Sequence, residues 1–126
     1  MMNQEIQKAA VALGEMIKND ATSIALDHAM EDYERCEELM SLIGEYNAQQ
    51  EMLGGADNAE DVRKKVSDRI DELYREITEH AVYKAYIEAK AAFDEFYHEV
   101  MGEVQFGVTG ERPCAHDCSS CGGCHH

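Results

Sequence analysis

Four of the five cysteines in this chain fall within eleven residues, in the run Cys114-Ala115-His116-Asp117-Cys118-Ser119-Ser120-Cys121-Gly122-Gly123-Cys124. The gaps between them are three, two and two residues. Thiolates this close together bind zinc or an iron–sulfur cluster. A structural zinc site usually separates two Cys-x2-Cys knuckles by a longer loop, so that four sulfurs reach tetrahedral corners. No such loop is present here. The triplet Cys118, Cys121 and Cys124 matches instead the compact loop that wraps three corners of a 4Fe-4S cluster. Ser119, Ser120, Gly122 and Gly123 are small enough to let the backbone curl around it. Cys114 is either the fourth ligand or stands just outside, and the fourth ligand could then come from a partner subunit. His116, His125 and His126 offer nitrogen donors as well. Two alternatives stay open: zinc, or a thiol-rich tail with no dedicated metal.

The remaining candidates for chemistry are weaker. Cys36 falls in an apolar helical stripe between Tyr33 and Met40, which reads as a buried, inert thiol. His28 and His80 lie in or beside such stripes and read as packed or capping residues. The neighbouring carboxylates Glu37 and Glu38, or Asp71 and Glu72, invite a di-metal reading, but the Glu-x-x-His motif of ferritin-like bundles is expected nowhere in the chain. No glycine-rich phosphate loop and no nucleophile–base pair is evident. The expectation is a protein that is not an enzyme.

Positioning the cysteines requires a scaffold, and the rest of the chain reads as helix. Its 126 residues suit one domain with a modest core. Gly14 and Gly44 are the only glycines before residue 54, and the single proline, Pro113, directly precedes the cysteines. Ile6, Ala9, Ala10, Leu13 and Ile17 share one face of a first helix over about residues 3–18. Asn19, Asp20 and Thr22 then offer a break and a new N-cap. From Ala21 to Met52 the helical period continues, through Ile24, Met30, Tyr33, Cys36, Leu39, Met40, Ile43 and Tyr46. That predicts one long helix, bent near Gly44 or else covered along its length by a second copy. Gly54 to Asp61 form a loop, with Asp57 or Asn58 as the next cap. Val62, Val66, Ile70, Leu73 and Ile77 mark a third helix. Its Arg63, Lys64, Lys65 and Arg69 form the only basic patch, read as a solvated face paired with nearby acids. A fourth stripe runs from Val82 through Tyr86, Phe93 and Val100 to Val104, and Gly107 and Gly110 close it. The expected architecture is all-α: an antiparallel bundle of about four helices with one long member, dimeric, followed by a Cys-rich tail. The expected division is a helical domain at 1–110 and a metal-binding tail at 111–126.

Charge narrows the partners. Eleven Lys and Arg face 26 Asp and Glu, for a net charge of −15. Such a surface repels phosphate, so direct nucleic-acid binding is not expected, whereas basic partner surfaces are attracted. No apolar run approaches the roughly 20 residues of a membrane span. The opening Met1-Met2-Asn3-Gln4-Glu5-Ile6 lacks a basic region followed by an apolar one, so no secretory signal is expected and a cytoplasmic location is. In that compartment clustered thiols serve metal or redox chemistry before disulfides.

Three stretches together resemble the YlbF/YmcA family of small helical regulators from Gram-positive bacteria. They are Ala12-Leu13-Gly14-Glu15-Met16-Ile17, the acidic helix around Ala29–Gln50, and Val82-Tyr83-Lys84-Ala85-Tyr86-Ile87-Glu88-Ala89. The Cys-rich end is similar to the YlbF branch. One departure is Glu79-His80, where many members have Asn-Pro. The resemblance implies an all-α, dimerising protein that works as a homodimer or with YmcA-like and YaaT-like subunits. It also implies a 4Fe-4S complex that modulates an endoribonuclease, and through it RNA processing, competence, sporulation and biofilm formation. Carried over by residue, it designates Cys114, Cys118, Cys121 and Cys124 as cluster ligands. The functional expectation is a non-enzymatic regulatory adaptor. The alternatives are a thiol-redox or metal-trafficking protein, and a helical bundle with a zinc-stapled tail.

Overall fold

The computed structural model describes residues 1–55 and 59–112. Among the described residues there are five helices and no strand: α1 (Gln4–Lys18), α2 (Ala21–Arg35), α3 (Glu37–Gly54), α4 (Glu60–Glu79) and α5 (Ala81–Thr109). The chain divides into two compact units, Ala25–Ala89 and Met1–Ile24 with Lys90–His126.

α1 begins where Asn3 Oδ1 accepts the Glu5 N–H at 2.7 Å. It ends at Asn19, whose backbone N–H and side-chain Nδ2 both donate to the Glu15 carbonyl. Asp20 then caps α2, its Oδ2 accepting the Thr22 N–H at 2.9 Å. The Ser23 hydroxyl, buried, donates back to the Ile17 carbonyl and ties the corner. Short polar side chains thus take orphan donors at the starts of α1 and α2, the second at the break the sequence leads one to expect.

The long second helix does not occur. The chain breaks at Cys36, whose φ of −79° and ψ of 98° are extended, and α3 starts at Glu37. Gly44, the expected bend, lies inside α3, and a Cβ there would meet nothing within 4 Å. The physical reason for the break is the order of charges rather than glycine, since Cys36 makes no side-chain cap bond. Arg35 ends α2 beside its negative pole, and Glu37 and Glu38 open α3 at its positive pole. A single extended residue leaves the apolar spacing almost in phase, so the period alone does not reveal it.

α3 and α4 form the best-packed pair in the Ala25–Ala89 unit. Val66, Ile70, Leu73 and Ile77 of α4 are buried, and so is Leu39 of α3; Leu39 and Leu73 are at 0% exposure. This is the predicted α4 stripe less Val62, which is exposed. Arg69 crosses to Glu45 in a two-pronged contact, Nε to Oε2 at 2.7 Å and Nη2 to Oε1 at 2.8 Å, and its Nη1 reaches Glu72 at 2.9 Å. Arg63, Lys64 and Lys65 stand exposed, so the basic patch is paired at Arg69 and solvated elsewhere. The N-cap of α4 is Ala59, with no side-chain cap bond. The expected caps Asp57 and Asn58 lie outside the described residues.

α5 has 29 residues and spans about 43 Å at ~1.5 Å per residue. It ends at Gly110, whose φ of 78° is a left-handed conformation suited to glycine, and whose N–H donates to the Phe106 carbonyl at 2.7 Å. Gly107, expected to share in ending it, stays helical. α1 and α5 contain no buried residue.

Candidate functional site

The predicted ligands Cys114, Cys118, Cys121 and Cys124, with His116, His125 and His126, lie outside the described residues. What is described is the point from which they depart. Arg112 is held to the end of α5: its Nε lies 2.9 Å from Glu103 Oε2, its Nη2 lies 3.0 Å from Glu103 Oε1, and its guanidinium sits 3.9 Å over the Phe106 ring. An ion pair and a cation–π contact therefore fix the residue before Pro113.

Within the Ala25–Ala89 unit a second group of chemistry-bearing side chains comes together. Cys36 and His80 each occupy a one-residue break between helices, and the two breaks share a backbone pattern. The Cys36 N–H donates to the Tyr33 carbonyl and its own carbonyl accepts from Met40; the His80 N–H donates to Ile77 and its carbonyl accepts from Lys84. Cys36 Sγ lies 3.9 Å from His80 Nε2, and Glu38 Oε1 lies 3.7 Å from the same nitrogen. His80 Nδ1 accepts the Val82 N–H at 3.2 Å, which caps α5. An accepting Nδ1 puts the ring proton on Nε2, where it is directed to the thiol and the carboxylate. No group of three or more His, Cys, Asp or Glu with metal-holding geometry occurs among the described residues.

His80 is thus a capping residue, as its sequence position suggests. Cys36 is partly accessible and lies against His80, rather than being buried. His28 is exposed. Glu95 and His98 on α5 carry a single Glu-x-x-His spacing that sequence reasoning missed, and both are exposed.

Beside the joint lies a cleft of about 300 Å³, lined by Tyr33 of α2, Tyr46 and Asn47 of α3, Tyr74 and Thr78 of α4, and Tyr83 of α5. Tyr33 packs against Tyr86 with the rings tilted by 37° and their centroids 4.8 Å apart, and its ring is 6.3 Å from that of Tyr83. Burial, helped by Tyr83 and Tyr86, pushes the Tyr33 hydroxyl above the usual phenol range, so it stays an uncharged donor. Their gathering around one opening depends on four different helices and carries no local signal in the sequence.

A family model described as "Control of competence regulator ComK, YlbF/YmcA" matches residues 6–109, which take in nearly all of α1 and the whole of α2 to α5. No curated protein and no solved structure matches the chain.

Proposed function

This chain belongs to the YlbF/YmcA family, and from that premise we propose that it is a non-enzymatic regulatory adaptor acting in the cytoplasm. Its helical body docks partners, and its tail contributes ligands to a metal centre. The observation that carries the reading is the family match across residues 6–109, with Cys114, Cys118, Cys121 and Cys124 beyond the matched residues. The partners are a second copy or YmcA-like and YaaT-like subunits, and the output is control of competence, sporulation and biofilm formation through an endoribonuclease. A docking role accords with the apolar residues that α1 and the end of α5 leave uncovered: Ile6, Val11 and Met16, and Val104 and Val108.

The donor set fits a 4Fe-4S cluster by its chemistry: four thiols, no carboxylate ligand required, and small residues between them. Cys118, Cys121 and Cys124 would hold three irons, and Cys114 or a partner residue the fourth. When bound, the group supplies a one-electron, oxygen-sensitive centre, so iron or redox status is coupled to assembly. Arg112 holds the base of the tail against α5, and the acidic helices attract basic partner surfaces.

Anaerobic copurification with the partner subunits, followed by optical spectroscopy and assay of iron and acid-labile sulfide, tests the reading. The expected result is a brown complex with iron and sulfide in equal amounts. A colourless complex holding one zinc per chain would overturn the cluster and favour the zinc-stapled alternative.

A further inference from the structure

We propose that the tyrosine-lined cleft of the Ala25–Ala89 unit is a receptor for a single arginine side chain presented by a basic segment of a partner protein. The inference takes its occupant, a partner protein, from the adaptor reading; the preference of the cleft belongs to this chain alone.

Three observations lead to guanidinium. The first is the lining. Tyr33, Tyr46, Tyr74 and Tyr83 come from four helices to one opening. The face of an aromatic ring carries negative charge density and attracts a cation, and arginine, planar and weakly hydrated, stacks on such faces better than lysine. The second is capacity. About 300 Å³ is the lower end of the ~300–1,000 Å³ range of ligand pockets, enough for one side chain and too little for a helix. The third is the field. Residues 25–89 hold seven Lys and Arg against seventeen Asp and Glu. Arg69, the central cation of α4, is already committed to Glu45 and Glu72. A positive guest is drawn to this unit and meets no competing charge in the cleft lining.

Polar groups are in place to receive its N–H donors. Among the described residues the Asn47 carboxamide has no hydrogen-bond partner. The Thr78 hydroxyl donates to the Tyr74 carbonyl at 2.8 Å, which leaves its oxygen as an acceptor. The Tyr46 oxygen already accepts from Gln50 at 3.0 Å, which braces its ring at the opening. Ile43 and Ile77 also line the opening, so an apolar guest is the competing occupant.

The test uses the isolated full-length chain, titrated in turn with the acetylated amides of arginine, lysine and leucine. Tyrosine ring signals are followed by NMR in moderate salt, which suppresses diffuse attraction to the acidic surface. The arginine amide should shift the Tyr46, Tyr74 and Tyr83 signals and saturate, ahead of lysine and leucine. Tyr74 is 60% exposed, so it can be changed with little risk to folding. Tyr74→Phe keeps the ring face and should keep the affinity, whereas Tyr74→Leu keeps apolar bulk and should lose about two- to fivefold. Tyr46→Leu should behave as Tyr74→Leu does and serves if that variant misfolds. A leucine amide that binds as tightly as the arginine amide overturns the proposal, as does a Leu variant with unchanged affinity. The double variant Cys118→Ser/Cys121→Ser should bind arginine amide normally, which separates failure of this inference from failure of the metal-dependent adaptor reading.

Discussion

Cys36 Sγ lies 3.9 Å from His80 Nε2, although the two residues are 44 positions apart. Each sits at a one-residue interruption, and the contact makes one joint of two breaks. His80 serves that joint twice, accepting the Val82 N–H through Nδ1 and donating from Nε2. His80→Ala removes both interactions and should cost about 0.5–2 kcal/mol, the usual range for a lost cap. His80→Asn, which can still cap, should recover most of it, as read by urea denaturation. An Ala variant as stable as the parent would show the joint to be energetically idle.

Gly44 adopts a helical conformation, and a Cβ there meets open space. Gly44→Ala should therefore raise stability by roughly 0.5–1 kcal/mol, because alanine loses less backbone freedom on folding. The check is a thermal melt of the parent and variant at equal concentration. A lowered melting temperature at unchanged helix content would mean that the position is covered in the species that melts.

Arg69 holds the Glu45 carboxyl below its ordinary value near 4.5, chiefly by hydrogen bonding. A carboxylate with a depressed folded value stabilises the fold above its unfolded value, and loses that contribution as pH falls through the folded one. The parent should exceed Glu45→Gln in stability at neutral pH, and the gap should narrow as the medium is acidified below about 4.5. Denaturant midpoints at several pH values give the comparison; a gap that widens on acidification contradicts the pairing.

Cys118→Ser combined with Cys121→Ser should leave the helical signal and melting temperature of the body intact, since residues 1–112 hold all five described helices. The same change should abolish cluster content in the copurified complex. Circular dichroism and iron analysis on one preparation separate the two effects, and a body that unfolds would place structural weight on the tail.

The sequence carried the helix class, the start and end of α1, and four buried positions of α4, because these rest on local caps and a regular apolar period. It concealed the break at Cys36 because one extended residue scarcely disturbs that period. The signal was electrostatic instead: Arg35 followed by Glu37 and Glu38 is the charge order of a helix end meeting a helix start. Glu79-His80 gave a fainter sign, and there the cap is a histidine ring nitrogen that no common cap rule anticipates. The tyrosine cleft draws Tyr33 and Tyr83 from positions fifty residues apart. Such convergence is a product of tertiary structure and has no pattern to read in one dimension.

The joint at Cys36 and His80 has a thermodynamic corollary. The four helices that meet at its two breaks are the four that line the tyrosine cleft. Any reorientation about one break moves a wall of the cleft and strains the thiol–imidazole contact with the other. Occupancy of the cleft and the angle at the joint are then linked quantities: a guest that prefers one angle stabilises it, and fixing that angle raises affinity for the guest by the same free energy.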